Sequence, residues 1–517
     1  MIAQDPFATH LERPRWRGHT PDEAYTGAAG GAACGDLVRV SLALDESSPE
    51  GTIADAGFDA SGCGAALAAG SATVALVRGA PLLAAARIGA EEISAELGGL
   101  HPAKRHAAEL AADALHRALG AAARASAALA PPSDGARRAL VAMSGGVDSA
   151  VAALLTARGG EEVVCVTLEL WADAENDGER SCCSAQSVRG ARALAHARGL
   201  PHLSIDLREE FRAGVVEGWL AGYAQGITPN PCIRCNGSVR LDAMLELATR
   251  LGAGRLVTGH YARVHFEEPA DPTEAPVPLL RIAADRLKDQ SYALAGLDPA
   301  SLVRLSFPLG SLTKPEVREI AAREGLSVAH KPDSQDLCFL AGTSLPRFLA
   351  RHGAKGPAGN GSADGRSGNG AAGSVTGGAE GCILDLEGRR LGSHRGAHAF
   401  TVGQRHGLGL PGGSAPLFVL GTDPVANTVT VGPHAALMTQ TVLVRDVTLR
   451  QSGARVDGVR VRSHGQLFPC RLACSPGPGR HEAVEVELRE PITRAAPGQI
   501  ACLYGGDVIL GYGTIAA

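Results

Sequence analysis

The hexapeptide Ser144-Gly-Gly-Val-Asp-Ser149 carries the residue types that bind a phosphate. Two glycines let backbone amides approach an anion, two serines donate hydrogen bonds, and a helix opening at this point favours negative charge at its N-terminus. The lysine and spacing of a Walker A loop are missing, so the binding mode is a different one. Thiols form the second group. Cys232 and Cys235 stand as Cys-x-x-Cys, with Cys338 far downstream. Thiolates in this pattern act as nucleophiles in sulfur and disulfide exchange. Three of them also suit an iron–sulfur cluster with one open iron. A zinc site would want a fourth ligand, which the neighbouring sequence does not offer. Cys182 and Cys183 are adjacent, cannot easily hold one metal together, and receive no role.

Residues so far apart need a scaffold, and the pattern around the loop supplies one. Strand-like runs at 140–143, 163–168 and 202–205 alternate with helical runs at 149–158 and 187–198. That alternation predicts a parallel sheet wrapped by helices, with ligands at the carboxyl ends of its strands. Cys165 lies inside one such run and reads as a small core residue. An Ala-rich helical stretch at 109–128 precedes the turn-rich 130–135, which reads as a linker. The Gly, Ala, Ser and Asn stretch 353–381 has too few apolar side chains to order itself and is expected to be a disordered insertion. Short Val, Leu and Thr runs beyond it, separated by Gly, Pro and Asp, predict a small β-barrel or sandwich.

At 517 residues the chain exceeds one hydrophobic core. Boundaries are expected at 1–130, 131–338, 339–438 and 439–517. Apolar residues make up 45% and charged residues 20%, the profile of a soluble globular protein. No apolar run reaches about 18 residues, the span of a bilayer. The first twenty residues mix Asp5, Glu12 and three arginines with no apolar core of a secretory signal, so a cytoplasmic protein is expected. Twelve cysteines there imply redox, metal or sulfur-handling groups more than a disulfide framework. The net charge of -5 comes wholly from residues 1–130, with 10 basic and 15 acidic side chains; the remainder balances at 39 each. Any RNA contact must therefore use local basic patches.

The loop hexapeptide resembles the signature of the ATP-pyrophosphatases, which adenylate a carbonyl or carboxyl oxygen. Residues 137–517 resemble the bacterial tRNA-specific 2-thiouridylase family. Five motifs carry the likeness: Thr228-Pro-Asn-Pro-Cys-Ile-Arg-Cys-Asn236, Thr258-Gly-His-Tyr-Ala-Arg263, Lys288-Asp-Gln-Ser-Tyr292, Asp333-Ser-Gln-Asp-Leu-Cys-Phe339 and Thr401-Val-Gly-Gln-Arg-His-Gly-Leu-Gly409. The resemblance implies Cys338 as the persulfide carrier and Cys235 as the nucleophile that resolves it by forming a disulfide. ATP, with Mg2+, would be held by Ala142, Met143, Ser144, Gly145, Gly146, Val147, Asp148, Ser149, Leu168 and Gly259. Asn230, Pro231 and Cys232 would frame the target base, with His260 near the tRNA. Lys288, Asp289, Gln290, Arg462, Ser463 and Gln499 fall at tRNA-contact positions. Leu168 stands where the family often has methionine and Ser463 where it tends to have tyrosine. An α/β parallel-sheet domain, a small central domain and a C-terminal β-barrel follow.

Residues 31–120 separately resemble the iron–sulfur scaffold family of IscU and the NifU N-terminal domain, an α+β fold. Cys34-Gly-Asp36, Ser61-Gly-Cys-Gly64 and Lys104-Arg-His106 carry this likeness, but Ala107 stands where a third cysteine is expected. Cys34, Asp36, Cys63 and His106 remain as a set for zinc or a labile cluster. The implied activity is formation of 2-thiouridine at the tRNA wobble position, with sulfur from a cysteine desulfurase and the front domain assisting delivery or docking the donor. The competing expectation is an iron–sulfur carrier whose ATP domain binds RNA without thiolating it.

Overall fold

The computed structural model describes residues 5–30, 35–132, 135–172, 184–268, 273, 275–333, 337–340, 342–352, 380–410 and 415–516. Cys34, Cys182, Cys183 and residues 353–379 of the expected insertion lie outside them.

Strands β1 (Tyr25–Gly30), β2 (Leu37–Leu44) and β3 (Ile53–Ser61) form an antiparallel sheet in that order. Val38, Val40 and Leu42 alternate along β2 onto the buried face, as a period of two requires. Helices Gly64–Val77 and Arg105–Ala125 cover that face. The second begins earlier and ends earlier than the composition suggests, stopping where Ser126 leaves the helical region at ψ 166.

Five described strands form the central parallel sheet: β4 (Arg138–Ala142), β5 (Glu162–Glu169), β6 (His202–Asp206), β7 (Arg255–Val257) and, after the hairpin β8 (Arg263–Glu267) and β9 (Val277–Arg281), β10 (Leu305–Ser306). Their order is β10-β7-β4-β5-β6. Alternate residues of β4 enter two different cores. Ala139 and Val141 pack with helices Val147–Arg158, Ala185–His196 and Lys314–Arg323. Leu140 and Ala142 join an apolar cluster that continues into the front domain, through Leu115 and Leu119 of helix Arg105–Ala125. The front domain thus completes the second face of the central sheet. Gly120 permits the approach: a side-chain carbon there would sit 2.0 Å from the Ser204 carbonyl oxygen in β6. Arg117 reinforces the contact with two bonds to Glu169, at 2.9 and 2.7 Å. The expected linker is pinned at its start, where Leu129 N–H donates to Arg250 O (2.7 Å) and Ala130 N–H to Pro49 O (2.8 Å).

Beyond the insertion, β11 (Gly381–Leu384), β12 (Arg390–His394), β13 (Phe418–Asp423) and β14 (Thr428–Gly432) form a sheet ordered β12-β11-β14-β13. Gly381, assigned by composition to the insertion, is already a strand residue. Strands β15 (Met438–Leu449), β16 (Gly458–Arg460), β17 (Phe468–Leu472), β18 (Gly479–Thr493), β19 (Ile500–Gly505) and β20 (Val508–Ile515) close into a barrel because β15 pairs with both β18 and β20. The β8–β9 hairpin pairs onto β20 through Arg281 and Val508, tying the barrel to the parallel-sheet domain. Among the described residues no helix is long and apolar enough to cross a membrane.

Candidate active site

The phosphate loop follows β4, and Gly146 caps helix Val147–Arg158. Gly145 turns it at φ +67, a left-handed conformation that glycine adopts freely. Ser149 Oγ accepts from Ser144 N–H at 3.1 Å and donates to Gly146 O at 3.2 Å, which locks the loop's curvature. Val147 is buried in the core under the loop, leaving its backbone to face a ligand. Gly259 lies against the loop from the side: a side-chain carbon there would meet Ser149 N at 2.8 Å. Asp148 accepts from the Tyr261 hydroxyl (2.9 Å) and from Lys314 Nζ at both oxygens (2.8 and 2.7 Å). Lys314 also reaches Asp333 (2.9 Å), which Lys288 (2.8 Å) and Arg318 (3.0 Å) surround. Burial alone would raise the Asp333 carboxyl, but hydrogen bonds from Lys288 and Lys314 outweigh it and hold it down to about 2. Lys331 Nζ donates to Gly145 O at 2.9 Å.

The thiols are positioned by a short capped helix. Asn230 Oδ1 accepts from the N–H groups of Cys232 (3.0 Å) and Ile233 (3.4 Å), and Pro231 occupies the first helical position, where its fixed φ suits a helix start. In helix Pro231–Cys235 the two cysteines stand three residues apart and so share a face. Both line a cavity of about 290 Å³, together with Cys338. Ala142, Met143, Ser144 and Leu168 form its wall on the phosphate-loop side, and Pro231, His260 and Gln290 line it on the side expected to face tRNA. Cys235 is buried, Cys338 half-buried and Cys232 exposed, and none of them is in a disulfide. Cys338 is held by its neighbour: Phe339 packs against Trp171, Phe211, Trp219 and Phe348 with ring centroids 5.0 to 6.4 Å apart. His260 Nδ1 sits 2.7 Å from Thr258 Oγ1. Desolvation, and then the charge of Arg240, push its imidazole down to about 3, so the ring is neutral at physiological pH.

Several expected tRNA contacts are otherwise engaged. Asp289 is buried; its carboxylate accepts from the N–H groups of Ala283 and Ser291, from Ser291 Oγ, and from Arg460 at 2.7 Å. A carboxylate so enclosed shapes the turn that carries Lys288 and Gln290. Gln499 Nε2 donates to Thr228 O at 2.7 Å, clamping the barrel onto the segment before the cysteine helix. Lys288 pairs with Asp333, and Gln290 Oε1 accepts from Tyr261 N–H at 3.0 Å. Arg462 is exposed and Ser463 half-buried, both in the barrel domain away from the cavity lining. Cys165 is fully buried, its thiol pushed up to about 12 by desolvation, as a core residue should be.

Among the described residues one group offers three metal-type ligands within 4.8 Å of one another: Asp36, Cys63 and His106. Cys232, Cys235 and Cys338 share a cavity but make no such group. In the front site Cys63 Sγ lies 3.1 Å from Asp36 Oδ2 and 4.0 Å from His106 Nε2, with His106 Nε2 3.0 Å from Asp36 Oδ2. Ligands at about 2.0–2.3 Å from one tetrahedral ion are separated by roughly 3.3–3.8 Å, so the donors fit a single ion with small adjustments. Ala107, in place of a third thiol, is buried in helix Arg105–Ala125.

Lys314, Tyr261 and Arg240 are site residues to which sequence reasoning assigned no role. Nothing in the spacing links Lys314 to Asp148; only the folded sheet brings helix Lys314–Arg323 to the loop.

A phosphate-type loop on a parallel sheet, three thiols on its cavity, and a thiol–carboxylate–imidazole cluster in a packed front domain define an α/β domain fused to a front domain that carries a metal-type ligand set. Family comparisons agree with it. Residues 137–342 match the tRNA methyl transferase HUP domain, 3–127 the NifU-like N terminal domain, 374–433 the tRNA methyl transferase PRC-barrel domain and 447–515 the aminomethyltransferase beta-barrel domain. The bifunctional protein NifU/MnmA of Rubrobacter xylanophilus is 40% identical over 98% of this chain and 97% of its own length. The tRNA-specific 2-thiouridylases MnmA of Thermobifida fusca (41%; 69% of this chain, 89% of that protein) and Streptomyces coelicolor (40%; 69% and 89%) match as well. The chain belongs to the bifunctional NifU/MnmA family.

Proposed function

We propose that this chain uses ATP to adenylate the 2-oxygen of a tRNA wobble uridine and replaces that oxygen with persulfide sulfur, giving 2-thiouridine. The observation that carries this reading is that the phosphate-loop residues Met143 and Ser144 and the thiols Cys235 and Cys338 open on one cavity. Activation and sulfur transfer must act on the same carbon, so their groups must converge. The uridine oxygen attacks the α-phosphorus and pyrophosphate leaves. The terminal sulfur of a Cys338 persulfide then bonds to C2 as AMP departs with the C–O electron pair. Cys235 thiolate attacks Cys338 Sγ, the S–S pair stays with the uridine sulfur, and the resulting Cys235–Cys338 disulfide is reopened by a dithiol reductant.

Asp148, on the phosphate loop and 31% exposed, is the carboxylate that would hold Mg2+ alongside phosphate oxygens. That ion neutralises phosphate charge. The persulfide sulfur would come from a cysteine desulfurase in the cytoplasm, with the front domain assisting its delivery. The site of Asp36, Cys63 and His106 would hold one zinc-type ion or a labile cluster. The 2-thiouridylase names of the relatives that match residues outside the front domain favour the enzyme over a carrier that has lost thiolation. Purified full-length protein given ATP, unmodified tRNA and a persulfide donor should yield 2-thiouridine by nucleoside mass spectrometry. Cys235→Ser and Cys338→Ser should each abolish it; thiolation by either variant refutes the assigned roles.

A further inference from the structure

Among the described residues, the cavity shared by the loop and the thiols is lined by apolar and neutral polar side chains with one exception, Arg240. No carboxylate among the described residues lines it, and His260 is neutral there. The other cations near the loop are matched: Lys314 and Lys288 by carboxylates, Arg318 by Asp333, Lys331 by the Gly145 carbonyl. The Arg240 side chain has no hydrogen bond or ion pair to any described residue. A half-buried guanidinium on an apolar wall without a counter-charge is costly unless a ligand supplies one.

Local backbone geometry puts it there. Arg240 is five positions after Cys235 and closes the stretch Asn236–Arg240, which winds as a π-helix between helices Pro231–Cys235 and Leu241–Arg250. On a regular α-helix five residues rotate a side chain about 140° away from the starting one. The wider i→i+5 winding returns residue 240 to the side of residue 235, and such insertions concentrate at functional sites. Asn236, the next residue after Cys235, fixes the turn by donating to Ala293 O at 3.1 Å.

We propose that Arg240 binds the α-phosphate of the nucleotide, and then the single negative charge of the adenylated uridine, as the group between the phosphate loop and the cysteines. This rests on the cavity being the adenylation site. An adenylated uridine is a phosphodiester monoanion, which one guanidinium balances and engages through paired N–H donors. In the step itself the uridine oxygen bonds to phosphorus, the bond to pyrophosphate breaks with its electron pair leaving on pyrophosphate, and the N3 proton passes to solvent. The charge on the α-phosphate persists until AMP departs, so Arg240 stays paired throughout.

The test compares wild type, Arg240→Gln and Arg240→Lys in the full chain, with AMP and adenosine as calorimetric probes, pyrophosphate release with tRNA as the rate, and alkylation of Cys235 against pH. Arg240→Gln should weaken AMP binding about ten- to a hundredfold, the range for a charged hydrogen-bonding group, while adenosine binding stays unchanged. Pyrophosphate release should fall by a similar factor, and Arg240→Lys should recover part of both. Equal loss of AMP and adenosine affinity in Gln and Lys variants overturns the proposal, as does unchanged AMP binding. A slowed Cys235 alkylation with AMP binding intact makes Arg240 a thiolate counter-ion instead. Neither AMP binding nor alkylation needs tRNA or a sulfur donor. A wild type that binds no AMP fails the adenylation reading itself, whereas a thiolating wild type whose AMP affinity ignores residue 240 fails this inference alone.

Discussion

Gly259→Ala tests whether the phosphate loop is held in a ligand-ready shape by the strand beside it. The added methyl carbon would stand 2.8 Å from Ser149 N, 2.9 Å from the Asp148 carbonyl carbon and 3.1 Å from its oxygen. All three are backbone atoms, so no rotamer change relieves the clash. Ordinary contact begins at 3.4 Å, so the loop must retreat by about 0.6 Å, and overpacking of this kind costs about 1–3 kcal/mol. Charged against the binding-competent loop, that corresponds to ATP affinity weakened about 5- to 150-fold. Calorimetric titration with ATP reads the effect. Gly254→Ala is the control, because nothing lies within 4 Å of a side-chain carbon there. ATP affinity in Gly259→Ala equal to that of wild type and of the control would show that the loop is not held by this contact.

Lys314→Met leaves Asp148 and Asp333 facing one another without their shared cation. Breaking a buried pair costs about 3–5 kcal/mol, and with both carboxylates partly exposed about 2 kcal/mol is expected, measured as a lowered thermal midpoint together with loss of ATP binding. Asn230→Ala removes the cap of the cysteine helix, costing about 1 kcal/mol; mass-spectrometric labelling should show faster alkylation of Cys235 and slower thiolation. His260 titrates at 6.5 when unfolded and about 3 when folded. Between these values the unfolded chain holds a proton that the folded chain lacks, so its share of stability is complete above pH 6.5 and falls by about 1.4 kcal/mol per pH unit on acidification. His260→Gln should flatten denaturation stability between pH 6.5 and 4.5 by that slope, and an unchanged slope contradicts the half-buried neutral ring.

The strands and helices around the loop were legible because β4 and β5 are largely apolar runs that alternate with longer segments free of proline. The thiols and the loop were legible as short motifs, since their roles depend on residue type at fixed local spacing. The fused interface was not. Gly120, Arg117 and the alternating burial of β4 acquire meaning only when helix Arg105–Ala125 lies across the sheet, a contact between segments that share no motif. The surroundings of Asp289 were hidden for a related reason. Inside Lys288-Asp-Gln it looks like a surface charge, whereas its partner Arg460 arrives from strand β16 of the barrel. Arg240 was hidden by winding: on a regular helix it would point away from Cys235, and only the π-helical turn brings it to the cavity.

The most direct measurement of persulfide transfer is a single turnover with heavy-isotope sulfur loaded on Cys338 as a persulfide. ATP and unmodified tRNA are added without reductant or iron, and the tRNA and protein are analysed by mass spectrometry from the same sample. One labelled sulfur per thiolated uridine, matched by one Cys235–Cys338 disulfide per turnover, is the expected result. Labelled thiouridine formed while both cysteines remain thiols, or a yield that tracks bound iron, would contradict it.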